Sequence, residues 1–364
     1  MGKRFIRRLK KLALQPAFLW GRPAKQRTEI PKKEEPPRGE DVSETVRFAQ
    51  TFCNKTAVVT IISDDGDFET GKTLNTLTKE YDLPATVAGT ATNVGLHEDW
   101  WRNTLQENQL LELVSHSYNH ARMSETDRIA GSKAWLRHEI AHSIRFFERR
   151  FGEKQIAFVC PENEMCALGY EVLRESGIIA VRRGERGNNA IYPAAGQEPG
   201  AWYHLRSRGI MDHTGDDAEA LRREEVQSAI RDRAWLIEMW HNVRGKADGA
   251  YQTILLPDAK THLAYLKSLS DDGELWVGRF TDVVKYAVEL EHAQLIAKRD
   301  GDTLCMYAAV DVDRPEVYDH PLTVCFQAPA GYTIAGSKEV HSDKDSYWVN
   351  VRPNTAVRVP LKQL

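Results

Sequence analysis

The sequence predicts an α/β fold with a mainly parallel sheet, followed by a small all-β module. Two observations support this prediction. Between residues 56 and 295, short apolar runs alternate with amphipathic helical patterns, and repeated β-α units of this kind form parallel sheets that are either open or closed into a barrel. After residue 295, short strand-like runs are separated by Gly, Pro and Asp, a texture typical of a β-sandwich.

The first of these two parts has a regular order of elements. Apolar runs predict strands at 56–63, 85–90, 155–160, 178–183, 234–240 and 274–280. Helical periodicity predicts helices at 68–81, 105–114, 124–152 (one long helix or two short ones), 167–177, 219–233, 259–270 and 281–295. The apolar end of 105–114 also resembles a strand that leads directly into His116. Sites in such folds lie at the carboxyl ends of strands, so the residues that follow the strands are the functional candidates.

Charge is distributed unevenly along the 364 residues, although the net charge is only −3. Eleven Lys and Arg residues and one acidic residue lie at or before Lys33, so the rest of the chain has an acidic excess. A body of this charge does not favour nonspecific binding to nucleic acid, and we expect no nucleic-acid partner. The five cysteines form no C-x-x-C pair, which argues against a disulfide framework and favours a reduced compartment.

The N-terminal segment has a basic and amphipathic pattern. Phe5, Leu9 and Leu12 recur at helical spacing among Lys and Arg, which suits peripheral contact with an anionic membrane; a solvated basic tail is the alternative. The segment lacks the cleavage site of a signal peptide, which favours a cytoplasmic or membrane-peripheral location, with export as the alternative. We predict a tail and linker at 1–45, a catalytic domain at 46–294 and a β module at 295–364. The oligomeric state is not predicted.

Two pairs of histidines have the spacing of metal ligands. The string His138-Glu139-Ile140-Ala141-His142 matches the His-Glu-x-x-His pattern of zinc peptidases. On a helix, however, both histidines lie opposite the apolar face and in line with Arg145 and Arg149. A dication there would meet like charge and an open surface, whereas a catalytic zinc requires a third ligand and a shaped cavity. Glu162 or Glu164 could supply that ligand, but an exposed histidine stripe explains the pattern better.

The other pair, His116 and His120, follows an apolar strand-like segment. Another strand ends in Asp64, Asp65 and Gly66, and two adjacent carboxylates at a strand end are costly unless a cation or a proton offsets their charge. One carboxylate and two imidazoles make a three-ligand metal site with open positions. The second carboxylate remains beside the metal as a candidate base.

A third strand ends in His241, after the apolar run Trp235 to Trp240. A buried histidine with satisfied hydrogen bonds is the simpler interpretation of this residue alone. Together with the other two strand ends, it becomes a candidate general acid.

These strand ends resemble the motifs of the polysaccharide deacetylases, the family-four carbohydrate esterases with the NodB homology domain. Residues 62–66, Ile-Ser-Asp-Asp-Gly, correspond to the family's first motif, which is usually Thr-Phe-Asp-Asp-Gly. Residues 116–120 form a complete second motif, His-(Ser/Thr)-x-x-His, and residues 236–241 match the last motif, an apolar strand that ends in His. The resemblance covers about residues 55–292 and implies a distorted (β/α) barrel of the NodB type. The helix that holds HEIAH has no metal role in this family.

The resemblance also implies residue roles. Asp64 would be the general base, and Asp65, His116 and His120 would bind a divalent metal, with Zn²⁺ as the expected ion. His241 would protonate the leaving amine. The implied activity is metal-dependent removal of N-acetyl groups from a sugar or polysaccharide, with a metal-bound water as nucleophile and an acetylated carbohydrate as substrate.

The sequence departs from the family at two motifs. The third motif usually reads Arg-x-Pro-Tyr; here Pro161 is kept, but Val159 takes the place of Arg and Glu162 that of Tyr. In the family that Arg orients the base, so the support of Asp64 is unassigned. The fourth motif, an Asp that orients the acid histidine, has no clear match; the weak candidates are Asp212, Asp216 and Asp217.

Aromatic and polar residues near these motifs are candidates for substrate contact. Core packing competes with this role for every aromatic side chain. The proposed contacts are Pro161, Glu162, Trp240 and Tyr203, and other aromatic candidates are Trp100, Trp101 and Trp202.

Three other functions remain open at this point. An O-acetyl esterase would use the same atoms on an easier leaving group. A catalytically silent, carbohydrate-binding relative would explain the missing third-motif Arg, and a zinc peptidase would use His138, Glu139 and His142.

Overall fold

The computed structural model describes residues 33–124, 132–191, 201–343 and 346–364. The predicted amphipathic segment around Phe5 to Leu12 lies outside the described residues, so its membrane contact stays a prediction. Within the described residues, no helix has the length and apolar character that a membrane span requires.

Strands and helices alternate along the barrel part of the described chain. In chain order the strands are β1 (Glu40–Asp41), β2 (Val46–Phe48), β3 (Ala57–Ser63), β4 (Ala85–Gly89), β5 (Leu111–Ser115), β6 (Ala157–Val159), β7 (Ala180–Arg186), β8 (Leu205–Gly209), β9 (Trp235–Trp240), β10 (Asn242–Arg244), β11 (Thr253–Leu255), β12 (Leu275–Val277), β13 (Ala293–Asp300), β14 (Thr303–Val310), β15 (Leu322–Phe326), β16 (Tyr332–Ile334), β17 (His341–Asp343), β18 (Ser346–Val351) and β19 (Ala356–Gln363). The helices are α1 (Phe68–Tyr81), α2 (Ala91–Gly95), α3 (Glu98–Glu107), α4 (Lys133–Arg137), a π-helical turn (His138–His142) that continues into α5 (Ser143–Phe151), α6 (Ala167–Glu175), α7 (Ala218–Asp232), α8 (Leu256–Asp271) and α9 (Phe280–Glu291). Single 3₁₀ turns occur at Ser43–Thr45, Phe52–Asn54, Pro161–Asn163, Ala201–His204 and Ile210–Asp212. Strands β8, β10 and β11 and helix α2 are present in addition to the elements that the sequence predicts.

A distorted barrel of parallel strands forms the first part of the molecule. The strand order is β12-β3-β4-β5-β6-β7-β8-β9, and a further pairing of β3 with β9 closes the ring. Every residue of β3 is buried, as expected for a strand with the barrel interior on one face and helices on the other. The α/β class and the NodB-type barrel predicted from the sequence are therefore confirmed, and the extra all-β strands follow at the C-terminal end.

Register brings the carboxyl ends of the strands to one rim of the barrel. Ser63 at the end of β3 pairs with Trp240 at the end of β9, and Gly89 at the end of β4 pairs with Ser115 at the end of β5. The residues that follow β3, β5 and β9 therefore emerge at neighbouring positions on that rim.

Helix α1 shows how an element beside the site is fixed. Asp67 caps its N-terminus by accepting a hydrogen bond from Thr70 N at 2.8 Å, a cap typically worth about 1 kcal/mol. Leu74 and Leu77 pack into the core between the barrel and the outer helices. Asp82 ends the helix in a left-handed conformation with φ of 50°, an arrangement that satisfies the last helical carbonyls.

Two antiparallel sheets form the C-terminal part. Their strand orders are β1-β13-β14-β19-β16 and β17-β18-β15-β2, so both sheets also take a strand from residues 40–48. Arg47 lies opposite Cys325, and Glu40 lies opposite Arg299. The domain boundaries given above stay predictions. Strands β1 and β2, near the start of the described chain, pair with β13 and β15 of the C-terminal part.

The sequence misassigned part of one element. The helix predicted at 105–114 ends at Glu107, and Leu111 to Ser115 form strand β5. Asn108 explains this change of structure because its backbone is extended, with φ of −126° and ψ of 96°, and its side chain accepts from Leu110 N at 3.1 Å and turns the chain. No disulfide joins any two of the five cysteines, all of which lie in the described part of the chain.

Candidate active site

The acidic loop after β3 presents two carboxylates in different environments. Asp64 is buried, whereas the Asp65 side chain is about one-third exposed. The turn depends on Asp65 and Gly66, which have φ of 73° and 68°. A Cβ added at Gly66 would meet the Cα of Gly89 at 2.8 Å, so only glycine fits this close approach to β4.

Two imidazoles face Asp65 from the loop after β5. Nε2 of His116 lies 3.6 Å from Asp65 Oδ1, and Nε2 of His120 lies 3.2 Å from the same oxygen. Nδ1 of His116 lies 2.9 Å from Val159 O. A bond to that carbonyl makes Nδ1 the protonated nitrogen and leaves Nε2 as the lone-pair donor, which is the usual orientation of a metal-binding histidine.

The three side chains fit a divalent metal. One ligand atom from each of Asp65, His116 and His120 lies within 4.8 Å of the others. Ligands about 2 Å from a tetrahedral Zn²⁺ are separated by about 3.3 Å, close to the distances above. Burial pushes the pKa of Asp65 upward, but the hydrogen bonds and charges of the two histidines outweigh it and lower that pKa. A lowered pKa favours the carboxylate form, which is the form that binds a metal.

Asp64 is held by a residue that the sequence motifs did not indicate. Nη2 of Arg182, on β7, lies 2.5 Å from Asp64 Oδ2, and the Arg182 side chain is fully buried. Nη1 of Arg182 donates to Asn163 Oδ1 at 3.4 Å. The other Asp64 oxygen, Oδ1, is buried and has no hydrogen-bond partner among the described residues. One carboxylate oxygen is thus anchored, and the other remains available to accept a proton.

The alternation of β7 directs Arg182 toward Asp64. Ala180, Arg182 and Gly184 share one face of the strand, and Ala180 belongs to a buried cluster that also contains Ile62 of β3 and Ile237 of β9. Gly184 leaves space for Asn163, since an added Cβ would meet the Asn163 Cγ at 2.1 Å. In the sequence, Arg182 alternates with the small residues Ala180 and Gly184, and this pattern could have indicated that its side chain faces inward. The sequence analysis did not use it.

His241 follows β9 and lies near the acidic loop. Asp64 N donates to Trp240 O at 2.8 Å, and Ser63 Oγ donates to His241 O at 3.1 Å. Burial lowers the pKa of the His241 imidazole, and the opposing charges of Asp64 and Asp65 do not restore it. The ring meets that of Tyr251 edge to face, with centroids 5.0 Å apart. Tyr251 is 66% exposed, so it is an aromatic residue on the rim that the sequence did not single out.

No described residue orients His241 as the family's fourth motif would. Its Nδ1 atom is buried without a hydrogen-bond partner in the described part of the chain. Asp212 accepts from Gly209 N at 3.0 Å. No hydrogen bond within the described residues joins Asp212, Asp216 or Asp217 to His241.

The four proposed substrate contacts have different surroundings. Trp240 is fully buried in the cluster between the barrel and the outer helices, and its Nε1 donates to Glu238 at 3.1 Å. Tyr203 is 6% exposed and its hydroxyl donates to Ile178 O. Neither aromatic ring is open to a sugar. Pro161 is buried on the loop after β6, and Glu162 is half exposed, 3.8 Å from Arg122.

The HEIAH string forms the π-helical turn between α4 and α5. His142 is exposed and its Nδ1 lies 3.3 Å from that of His138. Glu139 is buried instead, 2% exposed, and bonds to Asn119. Among the described residues, these histidines belong to no cluster of three metal-binding side chains.

Comparison with known sequences identifies the family of the segment that carries these loops. Residues 52–180 match the sequence profile described as polysaccharide deacetylase. This range contains Asp64, Asp65, His116 and His120, so the motif resemblance is confirmed there. Arg182 and His241 lie beyond the matched range.

A curated relative covers much the same segment. A gellan lyase from Bacillus sp. is 27% identical over 121 residues, which is 32% of this chain and 5% of the relative. The chain thus spans a small part of that much longer protein.

Solved structures of other proteins resemble this chain. A protein of Mycobacterium smegmatis described as a polysaccharide deacetylase has a TM-score of 0.50 and 14% identity, and the match covers 70% of this chain and 95% of the other. A family-four carbohydrate esterase pseudoenzyme from Bacillus anthracis has a TM-score of 0.42 and 15% identity, covering 64% of this chain and 66% of the other. Because identity is so low, the first likeness shows the fold alone.

Proposed function

We propose that this protein is a metal-dependent hydrolase that removes N-acetyl groups from a carbohydrate. The observation that carries the proposal is the meeting of Asp65, His116 and His120 around one point. Asp64 lies beside this cluster with one oxygen held by Arg182 and the other free. A three-ligand cation site with an adjacent carboxylate is the arrangement of a hydrolytic centre.

A divalent cation, with Zn²⁺ as the expected ion, would be held by Asp65 Oδ1 and the Nε2 atoms of His116 and His120. Bound there, it would polarise the acetyl carbonyl and lower the pKa of a water molecule. The protein's own contribution is to fix three ligands on two loops at one end of the barrel, with the His116 tautomer set by Val159 O.

Proton transfer is assigned to Asp64 and His241. Oδ1 of Asp64 accepts the proton of the attacking water, while Arg182 keeps the carboxylate oriented and offsets its charge in a buried position. The imidazole of His241 then gives a proton to the departing nitrogen, because an amine leaves poorly from a tetrahedral centre without one. These two groups approach the cluster from the ends of the adjacent strands β3 and β9.

The proposed substrate is an acetylated sugar or polysaccharide. The family of residues 52–180 supports this class. Tyr251 supports it chemically, because an exposed aromatic ring beside the proposed acid can pack against the apolar face of a sugar.

Arg182 weighs against a catalytically silent relative. The substitution of Val159 removes an arginine from β6, but Arg182 is the residue that pairs with Val159 across β6 and β7. Arg182 on β7 therefore supplies the guanidinium that supports Asp64, from the position paired with Val159 on β6. An O-acetyl esterase would use the same groups, so the preference between amide and ester must be measured.

Two substitutions test the proposal. Asp64→Asn should keep stoichiometric Zn²⁺ in elemental analysis but lose nearly all acetate release from N-acetylated oligosaccharides. His116→Ala should lose the metal as well, because it removes a ligand. The double variant His138→Ala/His142→Ala is the control and should keep both metal and activity. Normal hydrolysis by Asp64→Asn and His116→Ala would overturn the proposal, and loss of activity in the control would favour the peptidase assignment.

A further inference from the structure

The buried glutamate of the HEIAH string contacts the loop that carries both candidate metal-binding histidines. Glu139 Oε2 accepts from Asn119 N, and Oε1 accepts from Asn119 Nδ2, each at 2.9 Å. The backbone carbonyl of Glu139 accepts from Tyr118 N, also at 2.9 Å. Asn119 directly precedes His120, so these three bonds hold the backbone next to a proposed ligand.

The opposite side of the same loop is held by helix α2. Ala91 N donates to Ser117 O, and Thr92 N donates to Tyr118 O, each at 3.1 Å. The Thr92 hydroxyl donates to Tyr118 O at 3.0 Å. The loop between the histidines is thus clamped between α2 and the π-helical turn.

Two residues of the clamped loop have an unfavourable backbone conformation. Ser117 and His120 have φ of 68° and 59°, a left-handed conformation that is unfavourable for non-glycine residues and persists only where the surroundings enforce it. Ser117 Oγ accepts from His120 N at 2.9 Å and contributes to the same turn. A carboxylate that accepts two N–H groups makes charge-assisted bonds, which are about twice as strong as neutral ones.

We infer that Glu139 is a positioning residue of the candidate metal centre: it fixes the left-handed turn that brings His120 to Asp65. This inference depends on the proposed function only in assuming that the site binds a metal; it does not require that the protein be catalytically active. Glu139 is 2% exposed, and its side-chain bonds all go to the metal loop, so the HEIAH string acts through its glutamate rather than through its histidines. π-helical turns often occur at functional sites.

Zn²⁺ affinity measured by competition with a chromophoric chelator tests this inference. Glu139→Ala should bind Zn²⁺ about 10–100-fold more weakly, as is typical when a group that orients a metal ligand is removed. Glu139→Gln keeps the shape and one acceptor oxygen and should lose less. Glu171→Gln, on the exposed face of α6, is the matched control and should bind like wild type.

A double-mutant cycle separates positioning from general stability. Asn119 is exposed, so Asn119→Ala should fold, and it should weaken Zn²⁺ binding less in the Glu139→Gln background than in wild type because the two residues share one contact. Wild-type affinity in folded Glu139→Gln and Asn119→Ala would overturn the inference. If the wild-type protein binds Zn²⁺ but hydrolyses no acetylated glycan, the proposed activity is wrong. The positioning role of Glu139 would still hold in that case.

Discussion

Arg182 and Val159 lie side by side on adjacent strands, and the arginine reaches 2.5 Å from the carboxylate of Asp64. Both side chains face the barrel interior, because Ala157 and Val159 on β6 and Ala180 on β7 belong to the same interior cluster. Val159 lies where the family's third motif usually has Arg, and Arg182 is its paired residue on the neighbouring strand. An arginine at either of these two paired positions would place its guanidinium at a similar height in the barrel.

Removing that guanidinium should impair both stability and turnover. Arg182→Met leaves the buried carboxylate of Asp64 without its charged partner, and breaking a buried pair typically costs about 3–5 kcal/mol. We expect a lower unfolding free energy in urea and a large loss of kcat for acetate release. Arg183→Met is the control, because Arg183 lies on the other face of β7, 3.0 Å from His204, and should retain activity.

The double variant Val159→Arg/Arg182→Met should recover part of the lost kcat, since it returns the guanidinium from the neighbouring strand. Unchanged turnover in Arg182→Met would contradict the assignment. Recovery of stability without recovery of kcat would limit the role of Arg182 to folding.

The sequence predicted much of this site because its residues follow apolar strands directly. Asp64 and His241 each come after a run long enough to identify the strand, and His116 follows the strand-like end of a segment that was otherwise assigned to a helix. Parallel strands of a barrel end at one rim. Arg182 could not be placed in the same way. It lies inside a predicted strand, and its role depends on the pairing of β6 with β7, which periodicity does not reveal.

The C-terminal sheets show a similar limit. Their own strands follow the alternation of apolar residues, but β1 and β2 come from the charged segment near Glu40 and from Val46 to Phe48, which are distant in sequence from their partners. Pairing between the two ends of a chain depends on the folded arrangement, so local pattern does not predict it. Glu139 was missed for a related reason, since its partner Asn119 lies on another element.

His241→Ala should distinguish amide hydrolysis from ester hydrolysis. An amine requires protonation to leave, whereas a phenolate leaves readily, so loss of the acid should reduce N-acetyl hydrolysis about 10²–10⁴-fold and affect 4-nitrophenyl acetate far less. Rates on an N-acetylated oligosaccharide and on the ester, measured with the same Zn²⁺-loaded preparations, provide the comparison. Equal losses on both substrates would show that His241 acts on metal binding or folding rather than on the leaving group.

A buried ionic cluster behind β9 predicts a pH dependence of stability. Nε2 of His262, on α8, lies 2.8 Å from Glu238 Oε1, and its Nδ1 lies 3.5 Å from Glu219 Oε2. His262 is fully buried. Burial lowers the pKa of His262, but the negative charges of Glu238 and Glu219 and the hydrogen bond to Glu238 outweigh it and raise that pKa to about 9. The folded protein therefore holds a proton that the unfolded chain releases near pH 6.5.

Because the folded-state pKa is the higher one, the stabilisation is complete below about pH 6.5 and is lost as the pH rises through about 9. A difference of this size corresponds to at most about 3 kcal/mol. Urea unfolding of the wild type at pH 6 and pH 9.5 should show that decline, and His262→Gln should reduce it. His292→Gln, at an exposed position after α9, is the control and should keep the wild-type slope. An identical pH dependence in wild type and His262→Gln would mean that the cluster is not ionised as the distances indicate.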